Sequence, residues 1–308
     1  MLVLGVIISL VLIYSIGLES FIRKIISADY FLIFLSIVVY FFILSLGLIR
    51  WYYLSHVYSD SEKIKAISKA YFLNCFVSSL TPARAGDLMA PSFLSNETKL
   101  TLSNSSAIVF TERFSDFLVL SSFALGSLYW LNKNYISVSH LLSGNSEYTY
   151  VPLFVILVLM SMVATLVYYL KTHHIVRRII NFVISIKNDL ASVIKPLKVV
   201  LILLFSLTNW LLHFLKEYFL FSAFINISFI QATASLSISN VITVLSFMPG
   251  GVGINAVSNA YIVKLMDLDW QGAATSVIVG TVIFMSIRML LGLLFNRHLL
   301  LNDRGRRV

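Results

Sequence analysis

The chain has 308 residues, 58% of them hydrophobic and 12% charged, about half the charged share usual in soluble domains. Apolar runs long enough to cross ~30 Å of hydrocarbon recur along it, which excludes a water-soluble core and makes the bilayer the solvent that shapes the fold. The formal charge of +9 is spread between apolar segments rather than gathered with aromatics on one polar face, a pattern that argues against nucleic acid and fits basic cytoplasmic loops.

Residues 1–18 read as the first span: the apolar run from Leu2 to Gly17 lacks the basic start and the small-residue cleavage site of a signal peptide. Residues 19–29 read as a short loop, and 30–54 as the second span. The segment 64–94 is apolar but broken near its middle by Thr81-Pro82-Ala83-Arg84-Ala85-Gly86-Asp87. It also carries Cys75, the one cysteine, which excludes an intrachain disulfide or multi-thiolate metal site and reads as a small buried side chain. Spans at 104–130, 151–170 and 197–221 follow. A second apolar segment, 229–266, is broken at Met248-Pro249-Gly250-Gly251-Val252-Gly253, and 272–296 is the last span.

A proline inside a membrane helix removes a backbone donor, and neighbouring glycines lift the steric bar to a sharp turn. Backbone freed in this way is tolerated at membrane depth only where protein or a watery cavity satisfies it. Each interrupted segment is therefore drawn as a re-entrant hairpin, Ile64 to Leu80 with Gly86 to Leu94 and Phe229 to Phe247 with Gly253 to Met266. The alternative, two full spans, stays open. With hairpins and a cytoplasmic N-terminus, Lys63, Lys99, Lys171, Arg177, Arg178, Lys187, Lys195 and the C-terminal arginines fall inside, and the C-terminus is cytoplasmic. The 19–29 loop, with Arg23 and Lys24, is the exception. Full spans would suit those two residues better, but a Pro-Gly-Gly turn suits a reversal better than a straight span.

The expected fold is thus all-α integral membrane, one polytopic domain over 1–308 with about six transmembrane helices plus two re-entrant helical hairpins. Each half, 1–140 and 141–300, carries two spans, a hairpin and one span. Three crossings per half is odd, so the second half would sit inverted relative to the first, as in transporters whose substrate sites lie at broken helices. Asn74 and Asn240 precede the two breaks at nearly the same distance.

Charges inside the spans are the candidates for function. Glu112 and Asp116 are one turn apart on one helix face, and Arg113 can reach Asp116 at i+3. A charge at the bilayer centre costs about 2.5–3.5 kcal/mol on insertion scales, so this group must face protein or water. It serves either as an ion-pair lock between spans or as the lining of an ionic path. Arg84 and Asp87 sit at the first break and Arg288 lies deep in the last span; together with half-helix N-termini near Ala85 and Val252 they describe a site for an anion. Arg84 has the alternative of capping a carbonyl or snorkelling. His213, Lys216 and Glu217, with Asn209 a turn earlier, suit a proton relay, but their place near a segment boundary favours contact with headgroups. Asn255, Ser258 and Asn259 form a polar stripe that either lines a cavity or bonds a neighbouring helix. HExxH, GxSxG, Walker-type and GxGxxG signatures are missing.

In order along the chain, Arg50-Trp51, the Pro82-Ala83-Arg84-Ala85-Gly86-Asp87 break, Glu112-Arg113 with Asp116, the Pro249-Gly250-Gly251-Val252-Gly253 break and Arg288 resemble the membrane region of lysylphosphatidylglycerol synthases and stand-alone flippase-like relatives. The resemblance implies a bacterial or archaeal inner-membrane protein that translocates an amphiphilic lipid. Two positions depart from the family: Asp87 stands where Glu is usual, and Ile254, Asn255 and Ala256 stand where a Glu often follows the second glycine motif. The stretch after residue 296 is too short for the synthases' soluble aminoacyl-transferase domain, so no enzyme is expected here.

The substrate-facing set expected is Arg84, Asp87, Glu112, Arg113, Asp116, Gly250, Gly251, Gly253, Asn255 and Arg288, with no catalytic residue, metal or cofactor. The leading function is a lipid translocase handling an anionic or polyprenyl-linked lipid. The alternatives are a proton-coupled small-molecule transporter, or a non-catalytic membrane partner of a lipid-modifying or polysaccharide-assembly enzyme.

Overall fold

The computed structural model describes residues 10–59, 63–81, 86–135, 196–245 and 253–296. Arg84, Gly250, Gly251 and the expected span at 151–170 lie outside these residues, as does most of the first expected span, of which 10–16 are helical. The described residues are helical and contain no strand. In chain order the helices are α1 (Leu18–Ile26), α2 (Tyr30–His56), α3 (Ile64–Leu80), α4 (Gly86–Glu97), α5 (Leu102–Asn134), α6 (Pro196–Ser222), α7 (Phe229–Leu245), α8 (Ile254–Leu265) and α9 (Trp270–Phe295). Four of them, α2, α5, α6 and α9, are long and apolar enough to cross a membrane, in agreement with four of the six expected spans.

Residues 19–29 are not a plain loop. Leu18, Ile22 and Ile26 recur at helical spacing on one face, flanked by the Glu19 and Arg23 stripe, in the short amphipathic helix α1. Arg23 pairs with Glu19 at 2.7 Å and Lys24 pairs with Asp269, so the two basic residues that disturbed the loop-charge pattern each meet a carboxylate.

Both interrupted segments form two helices that pack against each other. On one straight helix Lys69 and Glu97 would stand about 42 Å apart at 1.5 Å per residue. Here their charged groups are 3.7 Å apart, and nearer the break Ser78 Oγ donates to Asp87 Oδ1 at 2.6 Å, so α3 and α4 are antiparallel. Gly86 permits this approach: a Cβ there would lie 2.5 Å from the backbone nitrogen of Ser78. Thr81 Oγ1 closes the turn by accepting the Gly86 N–H at 2.7 Å while donating to the Val77 carbonyl. In the second pair, Ser235 Oγ of α7 donates to Asn259 Oδ1 of α8 at 2.7 Å. Gly253, at φ 84°, caps α8 in the left-handed region that side chains disfavour.

The two hairpins enter the bundle from opposite ends. At one end Asp29 N–H donates to the Ala223 carbonyl, Gln231 Nε2 donates to Tyr135 Oη, and Lys24 meets Asp269, so α7 and α8 open toward α1. At the other end Asn296 Nδ2 donates to the Lys69 carbonyl, which sets the open end of α3 and α4 beside the last residue of α9.

Packing repeats along the chain. α2 lies against α6; α3 packs on α9 as α7 packs on α5; α4 packs on α5 as α8 packs on α9. Apolar clusters fill the hairpin bases, one around Trp51, Leu54, Ile67 and Leu94 and another around Phe221, Ala260, Val263 and Ala273.

Candidate functional site

Among the helices lies a polar cavity of about 280 Å³, just under the usual size range of ligand pockets. Ser78 and Asp87 line it from the first hairpin, Asn240 and Asn255 from the second. Of the expected set, Asp87, Glu112, Arg113, Asp116, Asn255 and Arg288 converge on this space. Gly253 is not on its wall but sets the start of α8, one residue before Ile254.

The charges divide into engaged and open groups. Arg50 of α2 is 3% exposed and reaches two carboxylates of α5. Its Nη1 donates to Asp116 Oδ1 at 2.7 Å, and its Nη2 donates to Asp116 Oδ2 at 3.0 Å and to Glu112 Oε1. Trp51 Nε1 donates to Glu112 Oε2 at 2.8 Å, and Ser206 Oγ of α6 accepts from Arg50 Nη1 at 3.1 Å. A planar guanidinium matches paired carboxylates in this way, and the group ties α2, α5 and α6 together.

The expected local pair between Arg113 and Asp116 is therefore not formed. Asp116 turns to Arg50, and Arg113 reaches across to Asp87 Oδ1 at 3.3 Å. Spacing along one helix shows which groups can meet within it, not which neighbour wins from another helix. Arg113 keeps 44% of its side chain exposed and so retains donors for a ligand. Arg288 of α9 is freer still: its Nε approaches only the Phe284 carbonyl, at 3.4 Å, and no carboxylate among the described residues pairs with it.

Lys216 and Glu217 correct the headgroup reading. They are 9% and 4% exposed, their side chains pair at 2.9 Å, and with His213 and Asn209 they line the cavity. α6 runs on to Ser222, so these residues are inside the bundle and not at its rim. The signal that could have found them is the polar series Ser206, Asn209, His213 and Lys216, spaced by three or four residues along an otherwise apolar span and hence on one inward face. Arg50 had a weaker signal, a lone arginine ahead of Trp51 inside an apolar run. In the polar stripe of α8, Asn255 faces the cavity while Asn259 accepts from Ser235 and donates to Asn255 Oδ1 at 2.9 Å. Cys75 is half-buried on the cavity wall.

The fold and cavity define a polytopic α-helical membrane protein with an ionic chamber among its helices. The chain belongs to the family described as the lysylphosphatidylglycerol synthase TM region, which it matches over residues 2–293. It is also similar to the UPF0104 membrane protein MJ1078 of Methanocaldococcus jannaschii, 27% identical over 199 residues that cover 64% of this chain and 83% of that protein. No solved structure matches it.

Proposed function

We propose that the chain is a translocase for a membrane lipid with an anionic headgroup, a phospholipid or a polyprenyl-linked lipid. The observation that carries this reading is Arg288, a cation on the cavity wall with no carboxylate partner among the described residues, beside a half-engaged Arg113. Among the described residues the cavity wall holds Arg50, Arg113, Lys216 and Arg288 against Asp87, Glu112, Asp116 and Glu217, a balanced set in which recognition falls to the cations that remain open. Arg288 and Arg113 would grip a phosphate while Asp87 holds Arg113 in place. Arg50, closed by two carboxylates, is the frame of the site rather than its hand.

In this reading the hairpins are re-entrant, one from each leaflet, and the two sets of helices are an inverted repeat; the matched packing supports it. The end that carries Lys63, Lys65, Lys69, Lys99 and Lys198 faces the cytoplasm of the cell membrane, because at the opposite end basic and acidic residues are matched. Cysteines replacing Asn226 and Lys264 in a Cys75-free background should label from the outside, and one replacing Lys99 from the inside. A lipid- or polysaccharide-assembly enzyme is the partner expected to use the delivered lipid.

The test uses proteoliposomes carrying NBD-labelled phosphatidylglycerol or a fluorescent polyprenyl phosphate, with dithionite reporting the outer-leaflet fraction. The wild-type protein should accelerate exchange of at least one probe, and Arg288→Ala should lose it by more than tenfold while remaining folded. Exchange of neither probe, with uptake of a soluble solute in their place, would favour a small-molecule transporter.

A further inference from the structure

The lock at Arg50 has a counterpart of different character on the other paired span. Arg50 of α2 and Lys216 of α6 lie on two helices packed against each other. Both are buried basic residues on the same cavity, yet of the two only Arg50 is shared between two carboxylates of another helix. Among the described residues Lys216 has one acidic partner, Glu217, its own neighbour in sequence, and its ammonium also lies over the Phe284 ring at 4.4 Å from the centroid. Its backbone is fixed from α2 by Ser36 Oγ, which donates to the Lys216 carbonyl at 3.0 Å.

We propose that Lys216 is a second phosphate station of the cavity, opened when Glu217 takes up a proton. The proposal rests on the translocase reading and adds its coupling ion. An ammonium is a compact charge with three donors on a flexible stem, so unlike the forked Arg50 it can leave one partner for another. While Glu217 is ionised, its charge satisfies Lys216 and repels an incoming anion. Once a proton from water on one side of the membrane sits on the Glu217 carboxyl, Lys216 is a buried cation without its counter-ion, a costly state that an entering phosphate relieves. The ammonium then pairs with a phosphate oxygen. When the headgroup leaves, Glu217 returns its proton to water and regains Lys216, so one proton accompanies one anionic headgroup.

The surroundings suit this exchange. The titratable and charged groups on the cavity wall from the helices packed on α6 are Tyr40 and Arg50 from α2, Glu112, Arg113 and Asp116 from α5, and Arg288 from α9, with His213 on α6 itself, while α7 contributes Leu236 and Asn240, which do not titrate. Glu112 and Asp116 are held by Arg50, so among the described residues Glu217 is the carboxylate that pairs with Lys216.

Two measurements test the station separately from transport. Short-chain dioctanoyl phosphatidylglycerol and, in a parallel arm, inorganic phosphate are titrated into the solubilised protein at acidic and alkaline pH, with thermal stabilisation as the readout. Wild-type protein should bind the lipid about tenfold more tightly at acidic pH, a difference of about 1.4 kcal/mol. Glu217→Gln should bind at the tighter value at both pH values, and Lys216→Gln at the weaker value at both. Tighter binding of free phosphate than of the lipid would assign the station to a soluble anion. In proteoliposomes the NBD-phosphatidylglycerol exchange of the wild type should respond to an imposed pH gradient, and that of Glu217→Gln should not. Lipid exchange with an unchanged gradient response in Glu217→Gln overturns the proton role and leaves the translocase reading standing. PH-dependent phosphate binding without lipid exchange would do the reverse. A cooperative unliganded melting transition in both variants shows that each is folded, at a lower temperature than wild type because one partner of a buried pair is gone.

Discussion

Trp51 Nε1 donates to Glu112 Oε2 at 2.8 Å while Arg50, the residue before it, holds the other oxygen of the same carboxylate. One carboxylate is thus fixed at both oxygens from a single turn of α2, and Asp116, one turn further along α5, takes the remaining face of the Arg50 guanidinium.

Breaking this group should cost more than removing it. Arg50→Ala leaves Glu112 and Asp116 buried with their main cation gone, a loss of about 3–5 kcal/mol for one partner of a buried pair. Arg50→Met combined with Glu112→Gln and Asp116→Asn removes the charges together and should recover much of that loss. Thermal unfolding in detergent measures both, and equal destabilisation in the two would mean that Arg50 acts by packing alone.

Arg288 should behave in the opposite way. Its one hydrogen bond among the described residues, 3.4 Å to a carbonyl of its own helix, contributes little to folding. Arg288→Gln should therefore leave the melting temperature within a few degrees of wild type while lipid exchange falls by more than tenfold. Arg288→Lys keeps the charge but not the fork and should retain an intermediate rate. A rate equal to wild type in Arg288→Gln would remove this residue from the site.

Some of this was open to reading from the residues alone, and the remainder has a physical reason for being hidden. Pro82 and Pro249 flag interruptions of the apolar runs because a missing N–H acts locally, and Glu112 with Asp116 on one face follows from helical period. The partners of these charges do not follow. Arg50 lies more than sixty residues before Asp116, and that pairing depends on how α2 packs against α5, which no local spacing encodes. Lys216 was drawn toward the headgroups because hydropathy falls off before α6 ends. A polar residue lowers the apparent end of a span whether it faces lipid headgroups or an internal cavity, and only the inward stripe from Ser206 onward distinguishes the two cases.

The turn of the first hairpin makes a sharp prediction about two glycines. At Gly86 a Cβ would meet backbone atoms of Ser78 and Val77 at 2.5–2.8 Å, and backbone cannot swing aside as a side chain can. Gly86→Ala should push α3 and α4 apart, with a cost of about 1–3 kcal/mol and a loss of the Ser78 to Asp87 hydrogen bond. At Gly126, in the middle of α5, a Cβ meets nothing within 4 Å. Gly126→Ala should be neutral or stabilise by up to about 1 kcal/mol through helix propensity. Similar melting temperatures for the two variants would contradict the close approach at the hairpin turn.

Asp269 ties α1 to the bundle and gives the last prediction its pH dependence. Burial works to raise its carboxyl, but the Lys24 hydrogen bond, the Gly272 N–H, the Lys24 charge and the Gln271 N–H together hold it below the ordinary carboxylate range. A carboxyl lowered in the folded state contributes stability that is present above its unfolded value and is lost as the pH falls through the lower folded one. Asp269→Asn keeps an acceptor for the Gln271 and Gly272 N–H groups at the start of α9 and removes only the tie to Lys24. It should melt a few degrees below wild type at neutral pH, and the gap should close in acid below the ordinary carboxylate range. Asp269→Ala, which loses the cap as well, should remain less stable than wild type even there. A gap between wild type and Asp269→Asn that persists unchanged into acid would show that Lys24 and Asp269 do not hold α1 electrostatically.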